Sequence, residues 1–497
     1  RSRSEERRVP WVAVARIKRL HAMHPAMIAL RPGVGKAPAP NAALGAAPHG
    51  EVRMTVTRRW NPCRDRSGCS GGAGPSPRDV AAVAANGLVA AGLVAARGSD
   101  RSQRLQRRPR RSVVAVAVAE APKVAPGANT DGPTRATPAP NDLILRVARG
   151  DLGCSRTPVW LMRQAGRYMK EFRKYSERYP FRQRSETPAI AVELSLQCWR
   201  RFGMDGVIVF SDILTPLPAL GIEFDVIRGR GPVVLGDLAR CLEDRLSGPR
   251  AIGEIAHPED FEATHGFLSE SLRALRVETE GRCSLLGFVG APWTLAAYSV
   301  EGGGTKDAST FKRWMYERPE VVDEFLRRLT ASISSYAIFQ VRSGAECIQI
   351  FDSWAHCLSP DQWLRFAAPH VKSVAQNVRA TCPGVPLIYF ANGGSSYFRD
   401  QVEALAGCVE VLGVDTHARL SEAAQAVEGS GLILQGNVDP FVLRYGSEVE
   451  VRDAVRRAID DAGGPGRHIM NLGHGVLQQT PEENVQHFVE EAQTYAS

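Results

Sequence analysis

The chain has 497 residues, with 62 Lys and Arg against 53 Asp and Glu and a formal net charge of +9. Residues 1–140 hold 24 of the basic residues but only 8 acidic ones, so residues 141–497 are acidic overall and do not favour nucleic-acid binding. The ten cysteines form no Cys-x-x-Cys pair, which excludes the spacing typical of structural zinc sites or dense disulfide frameworks.

The first 140 residues differ in composition from the rest. They are rich in Arg, Ala, Ser, Pro and Gly, and such a segment cannot bury a core. Arg-rich, acid-poor leaders are typical of mitochondrial and chloroplast import, and we interpret residues 1–140 as a transit peptide or disordered leader. The small-residue stretch 79–96 is too weakly hydrophobic to predict a membrane span.

From residue 141 onward, short apolar runs alternate with longer amphipathic stretches, a pattern that predicts strands and helices in turn. Continuous hydrophobicity is typical of parallel strands that are buried on both faces. Eight such strand–helix units predict a single-domain (β/α)8 TIM barrel over residues 141–497, with a doubly wound open sheet as the alternative. The eight apolar runs are 159–162, 206–210, 284–290, 347–351, 386–390, 409–415, 432–436 and 468–473.

Polar residues follow these runs directly. In a TIM barrel the carboxyl ends of the strands surround the active site, so these residues are expected to meet at one rim. The rim residues are Arg163, Arg167, Ser211, Asp212, Trp293, Tyr298, Asp352, Ser353, Asp415, Asn437, Asp439 and His474.

Two charged positions at this rim indicate ligand binding. Arg163 and Arg167 would share a face if the chain were helical there, and their guanidinium groups suit carboxylates or phosphates. Gly166 indicates close approach of the backbone to a ligand, while two surface ion pairs are the alternative interpretation of the arginines.

Asp212 follows an apolar strand, so its carboxylate needs hydrogen-bond donors from the protein or from a ligand. The alternative for Asp212 is to cap a helix.

The remaining candidates are weaker as single residues. His474 lies between two glycines, which leaves its ring unshielded, yet a lone histidine is more often structural. Tyr298 also fits a core aromatic, and Ser353 also fits a helix N-cap. The shared position at strand ends is the stronger signal. The sequence contains no phosphate-binding P-loop, no His-Glu-x-x-His motif and no Gly-x-Ser-x-Gly elbow.

Six segments resemble the uroporphyrinogen decarboxylase family of haem and chlorophyll biosynthesis, in the family's order along the chain. They are "PVWLMRQAGRYMKEFRKY" from residue 158, "IVFSDILTPLPALGIEFD" from 208, "GFVGAPWTLAAYSVEGG" from 287, "QIFDSWA" from 349, "QGNVDP" from 435 and "NLGHGVLQQTPEENVQHF" from 471.

The resemblance implies a (β/α)8 homodimer that removes carbon dioxide from the four acetates of uroporphyrinogen III and yields coproporphyrinogen III, without a metal or organic cofactor. It implies that Asp212 accepts hydrogen bonds from the pyrrole N–H groups and that the arginines bind carboxylates. Catalytic roles fall to Asp212, Arg163 and Tyr298, while the proton donor stays open between Arg163 and a water held by it. The implied substrate-binding residues are Arg163, Gln164, Ala165, Gly166, Arg167, Phe181, Asp212, Tyr298, Ser353 and His474. The family's role, together with the leader, favours the chloroplast stroma over the mitochondrion.

Four positions depart from the family pattern: Lys170, His356, Cys357 and Gln479.

Two other functions compete with the decarboxylase. A zinc-dependent, corrinoid-linked methyltransferase shares the barrel but typically needs a His-x-Cys pair and a distant Cys, whereas His356 and Cys357 are adjacent. A catalytically silent tetrapyrrole-binding protein would keep the pocket but tolerate the loss of Asp212.

Overall fold

The computed structural model describes residues 141–236 and 260–495, so the predicted leader and the stretch 79–96 lie outside the described residues. The described strands are β1 (Gly206–Ile208), β2 (Phe224–Ile227), β3 (Gly231–Val234), β4 (Ser284–Gly290), β5 (Cys347–Asp352), β6 (Leu387–Ala391), β7 (Val411–Gly413), β8 (Ile433–Gln435) and β9 (His468–Ile469). The first described helices are α1 (Leu143–Ala148), α2 (Lys170–Arg178), α3 (Phe181–Glu186), α4 (Pro188–Phe202), α5 (Phe261–Thr279), α6 (Pro292–Glu301), α7 (Ser309–Glu317) and α8 (Pro319–Arg342). They are followed by α9 (Pro360–Phe366), α10 (Ala368–Thr381), α11 (Phe398–Leu405), α12 (Leu420–Ala426), α13 (Pro440–Tyr445), α14 (Glu448–Asp461) and α15 (Glu482–Thr494).

Seven strands form one parallel sheet in the order β1-β4-β5-β6-β7-β8-β9. Each of them coincides with a predicted apolar run, so the predicted α/β fold with a parallel sheet is confirmed. The two other strands, β2 and β3, form a separate antiparallel hairpin that the apolar pattern did not reveal. Parallel neighbours require crossover connections, and the helices between the strands supply them.

The first predicted run, 159–162, is shorter than expected: only Val159 forms a bridge, in parallel with Met470. This short segment nevertheless reaches both edges of the sheet. Met470 donates its backbone N–H to Pro158 O at 2.8 Å, and Asp205 donates its own to Val159 O at 2.9 Å. The sheet therefore curls, since its first and last strands approach the same segment.

The apolar side chains divide between the two faces of the sheet. Along β4, Leu285 and Val289 belong to the large cluster packed against the outer helices, whereas Leu286 belongs to a second cluster. This alternation follows the two-residue period of a strand. The second cluster combines buried residues of α1 with residues from all seven strands of the sheet, so α1 covers one face of the curled sheet. Its strand members are Ile208, Leu286, Cys347, Ile388, Val411, Ile433 and Ile469.

A fully buried carboxylate fastens the segment at the seam. Asp205 accepts two hydrogen bonds from the Arg156 guanidinium, at 2.6 and 2.8 Å, and one from the Val159 N–H at 2.9 Å. The Asn141 side chain donates a further bond at 2.7 Å. The carboxylate thus connects Asn141, Arg156 and Val159 to the residue that precedes β1.

The helices within residues 141–236 and 260–495 lack the length and the hydrophobicity that a membrane-spanning helix requires.

We predict that Asp205→Ala lowers the free energy of unfolding by about 3–5 kcal/mol, because it leaves the Arg156 guanidinium and the Val159 N–H without their acceptor. Urea denaturation measures the loss. Asp151→Ala is the matched control, since Asp151 pairs with Arg146 at the surface, where solvent screens the pair, and its loss should be much smaller. Equal losses in the two variants would contradict the role of the Asp205 clamp.

Candidate active site

The predicted site residues gather at the edge of the sheet where the parallel strands end. Asp212 follows β1, Ser353 follows β5 and His474 follows β9. The positive charge of Arg163 acts on Asp212, Tyr298 and His474, although these residues come from distant parts of the chain. The structure therefore brings these candidates into one electrostatic neighbourhood.

The chain between Arg163 and Arg167 forms turns and bends instead of the helical turn that would place the two arginines on one face. Arg163 has a positive φ of 59°, a conformation that non-glycine residues adopt at an energetic cost. Its side chain lies against Gly475, where an added Cβ would overlap the Arg163 Cδ and Cγ atoms. Gly475 is thus a residue whose small size makes room for an arginine.

Gln164, Ala165 and Gly166 shape this turn. The Gln164 side chain is buried; its amide donates to Gly206 O at 3.1 Å and its oxygen accepts the Leu161 N–H at 3.2 Å. The Gln164 carbonyl accepts the Cys198 thiol at 2.6 Å. Gln164 therefore supports the turn from below, whereas Ala165 and Gly166 are half-buried on its surface.

Neither Arg163 nor Arg167 forms an ion pair with the residues that the structure describes. Both side chains are exposed at the rim. The alternative interpretation, two surface ion pairs, is therefore not what the described part of the chain shows. Two guanidinium groups remain available to an anionic ligand.

Asp212 lies in a turn. Its Oδ1 accepts the Leu214 N–H at 2.9 Å, and its own N–H donates to Thr215 Oγ1 at 3.2 Å. Pro216 is the N-cap residue of the following 3₁₀ helix, Leu217–Leu220, so Asp212 does not cap that helix. Burial raises the pKa of Asp212, while the Leu214 N–H and the Arg163 charge act in the opposite direction. The Oδ2 oxygen accepts no hydrogen bond from the described residues.

Tyr298 lies in α6 and is half-buried, with its ring 5.2 Å from the Trp354 ring in an edge-to-face arrangement. Burial, and then the negative charge of Asp212, raise the pKa of Tyr298 to about 12. The phenol therefore keeps its proton at neutral pH and can donate a hydrogen bond near Asp212.

His474 is neutral at physiological pH. Burial, with the Arg163 charge as the next contribution, lowers the pKa of His474 to about 4. The Gly475 N–H donates to His474 Nδ1 at 2.6 Å. Since Nδ1 accepts this bond, the ring proton of the neutral imidazole is on Nε2, which makes Nε2–H a donor.

Ser353 and Phe181 complete the predicted set. Ser353 is half-buried after β5, and the next 3₁₀ helix, Ala355–Cys357, is capped by Trp354, so Ser353 is not an N-cap. Phe181 is the first residue of α3, with its ring 5.4 Å from that of Phe210. Because Phe210 stands two residues before Asp212, Phe181 lies on the same side of the site.

Asp352 is a rim residue in the sequence that the structure places in the interior. It is fully buried and accepts hydrogen bonds from Thr294 Oγ1 at 2.6 Å and Tyr389 OH at 2.9 Å. Thr294 Oγ1 also accepts the backbone N–H of Trp354 at 3.0 Å, so this network holds the backbone of the residue whose ring packs on Tyr298. Asp439 likewise serves the fold, since its side chain caps α13.

The positions that depart from the family pattern lie around this site. Cys357 is buried, with its thiol 3.8 Å from Lys306 O, whereas His356 is exposed, with its ring 5.4 Å from that of Trp354. Lys170 donates its backbone N–H to Glu482 at 3.0 Å, a bond that proline could not form. Within residues 141–236 and 260–495, no three His, Cys, Asp or Glu side chains are arranged to hold a metal ion.

The chain is similar to known proteins over most of its described length. The family model described as uroporphyrinogen decarboxylase matches residues 139–495. A uroporphyrinogen decarboxylase of Trichodesmium erythraeum is 44% identical over 71% of this chain and 96% of its own length. The uroporphyrinogen decarboxylase 1, chloroplastic, of Oryza sativa is 43% identical over 70% of this chain and 82% of its own length. Among solved structures, a methyltransferase from Methanosarcina mazei has a TM-score of 0.59 at 20% identity, covering 71% of this chain and 98% of its own, which shows a shared fold alone.

The buried Asp352 predicts how stability depends on pH. Burial raises the pKa of Asp352 from 3.8 to about 6, so between these values the folded state binds more protons than the unfolded state. Stability should then fall as pH rises from about 4 to 7, with about 3 kcal/mol lost from this group. Asp352→Asn, which keeps an acceptor for Thr294, should remove that part of the slope in urea denaturation between pH 4 and 7. Parallel curves for wild type and variant would contradict the assignment.

Proposed function

The chain belongs to the uroporphyrinogen decarboxylase family, and we propose that it converts uroporphyrinogen III to coproporphyrinogen III by removing carbon dioxide from the four acetate side chains. The observation that carries the proposal is the Asp212 carboxylate: one oxygen is held by the Leu214 N–H, and the other has no partner among the described residues. The substrate's pyrrole N–H groups supply the donors that this oxygen lacks.

The substrate also supplies the anions that the rim lacks. Uroporphyrinogen carries eight carboxylates, while Arg163 and Arg167 have no acidic partner in the described part of the chain. A guanidinium binds a carboxylate through two parallel hydrogen bonds, which fixes orientation as well as position. The neutral His474 donates its Nε2–H to a propionate carboxylate, and Ser353 and the backbone of Ala165 and Gly166 add contacts at the same edge.

The chemical step rests on charge stabilisation. When a pyrrole ring is protonated next to an acetate, the ring becomes a cation that accepts the electron pair of the breaking C–C bond. Carbon dioxide leaves, a proton adds to the remaining carbon to give a methyl group, and the ring releases the proton that it had gained, which restores the neutral pyrrole. The Asp212 carboxylate lies under this cation in a site of low dielectric, where it stabilises the developing charge more strongly than it would in water.

This scheme needs no metal or organic cofactor, because the protonated ring is itself the electron sink. Tyr298, which keeps its proton, donates a hydrogen bond beside Asp212 and so limits repulsion between Asp212 and the substrate carboxylates. An arginine is a weak proton donor at neutral pH, so Arg163 acts by holding a water that delivers the proton to the ring.

Three finer features belong to the same proposal. We propose that the segment around Val159 closes the curled sheet as an eight-stranded (β/α)8 barrel in a single domain. The functional unit is a homodimer, and a sedimentation mass near the single-chain 54.1 kDa would overturn it. Residues 1–140 direct the protein to the chloroplast stroma; accumulation of a fluorescent fusion of these residues in mitochondria would overturn this assignment.

The two competing functions have weaker support than the decarboxylase. The likeness to a methyltransferase concerns the fold, and the adjacent His356 and Cys357 differ in burial and do not face a common point. A silent tetrapyrrole-binding protein would tolerate the loss of Asp212, and this chain retains it. Turnover separates this second alternative from the enzyme.

We expect Asp212→Ala to lower kcat/KM by roughly 100- to 1000-fold, because it removes the charge that stabilises the cationic ring. The measurement is anaerobic incubation with uroporphyrinogen III, with and without chelator, followed by chromatography of the oxidised porphyrins. Wild type should release the seven-, six-, five- and four-carboxylate series whether or not chelator is present.

The matched control is Asp361→Asn, which removes an exposed carboxylate of α9 and should leave turnover unchanged. No products from folded wild-type protein would promote the silent binding protein. Loss of wild-type activity with chelator would favour the metal-dependent alternative.

A further inference from the structure

Arg184 in α3 is an arginine that sequence analysis did not single out. The residue is only 9% exposed. Its guanidinium lies over three phenylalanine rings, at 5.5 Å from Phe172, 5.3 Å from Phe181 and 5.6 Å from Phe210. Arginines over aromatic rings are common at ligand sites, where the ring faces offset part of the cost of removing water.

This buried guanidinium has no acidic partner among the described residues. Its one hydrogen bond runs from Nε to Tyr179 O at 3.1 Å, and neither terminal nitrogen has an acceptor in the described part of the chain. Arg182, two residues earlier, pairs with Glu186 at 2.5 Å. The contrast is informative, because a buried cation normally obtains a counter-charge from the protein.

A second cation lies close to Arg184. Burial, and then the charge of Arg167, lower the pKa of Arg184 to about 10, so Arg184 remains charged at neutral pH. Two like charges held near each other without an acid destabilise the free protein. An anion bound between the two arginines would offset both the burial of the Arg184 charge and the repulsion between the two positive charges.

The pair lies on the wall of the candidate active site. Phe210 ends the apolar run that leads to Asp212, and Phe181 is a predicted substrate contact. The Arg184 guanidinium packs on both rings, so it lies next to two residues that border the candidate site.

We propose that Arg184 and Arg167 together bind one carboxylate side chain of the substrate, with the three phenylalanine rings as the apolar floor of this carboxylate pocket. The proposal rests on the proposed function, since it assigns a polycarboxylate tetrapyrrole to the site. It adds a binding residue outside the motifs that carry the family resemblance. The competing interpretation is structural: Arg184 would serve only to join α3 to the Tyr179 carbonyl.

Steady-state kinetics with uroporphyrinogen III test the pair. Arg184→Gln should raise KM by roughly 10- to 100-fold, the loss expected for a charge-assisted hydrogen bond, while kcat changes less than about threefold. Arg184→Lys should be intermediate, because an ammonium group keeps the charge but loses the bidentate geometry. Arg178→Gln, an exposed arginine of α2 over Tyr179, is the matched control for one lost positive charge and should leave KM unchanged.

The double variant with Arg167→Gln tests whether both arginines share one carboxylate. If they do, the combined rise in KM is smaller than the product of the two single effects. Arg167 is exposed, so its variant measures the pocket even where Arg184→Gln folds poorly. A melting temperature lowered by Arg184→Gln or Arg184→Lys with KM unchanged would overturn the proposal in favour of the structural role.

The partly decarboxylated intermediates identify which carboxylate binds. A propionate at the pocket gives a KM shift that persists for the five-carboxylate substrate, whereas an acetate gives a shift that disappears once that acetate is lost. Either result supports the pocket. Absence of products from wild type would reject the proposed function itself, and this outcome is distinct from an active wild type whose KM does not respond to Arg184.

Discussion

The site depends on charged groups that the described part of the protein leaves without a full set of hydrogen-bond partners. Asp212 retains a carboxylate oxygen with no donor among the described residues, and Arg184 is buried over aromatic rings with no acid in reach. Such groups destabilise a folded protein unless a ligand forms hydrogen bonds or ion pairs with them. Selection tolerates this cost at functional sites, which is why these residues, and not the well-paired ones, mark the active site.

The surrounding structure holds these groups in place. Asp205 fastens the segment before Arg163 to β1 through the Arg156 guanidinium and the Val159 N–H. Beneath the rim, the Thr294 and Tyr389 hydroxyls both donate to the buried Asp352. Burial raises its pKa to about 6, so the carboxylate is mostly ionised at neutral pH and these two donors stabilise its charge.

Seven strands and the polar residues near their ends could be predicted from the sequence, because most of the apolar runs end at or close to a charged or polar residue. The turn at Arg163 could not, since a helical spacing of two arginines does not reveal a positive φ that depends on the space left by Gly475. Arg184 also escaped prediction. Its segment reads as a charged surface helix, and only the tertiary packing of Phe172 and Phe210 around it shows that its guanidinium is buried.

The same unpaired groups account for ligand selectivity on a fold that similar proteins use for other purposes. A ligand without inward N–H groups leaves the Asp212 oxygen unsatisfied, and a ligand without carboxylates leaves the arginines unpaired, so each is disfavoured without any steric barrier. A polycarboxylate with N–H donors at its centre satisfies both at once. In the proposed function, recognition and chemistry are linked through Asp212, because the carboxylate proposed to accept the pyrrole N–H groups is also the one proposed to stabilise the ring when it becomes a cation.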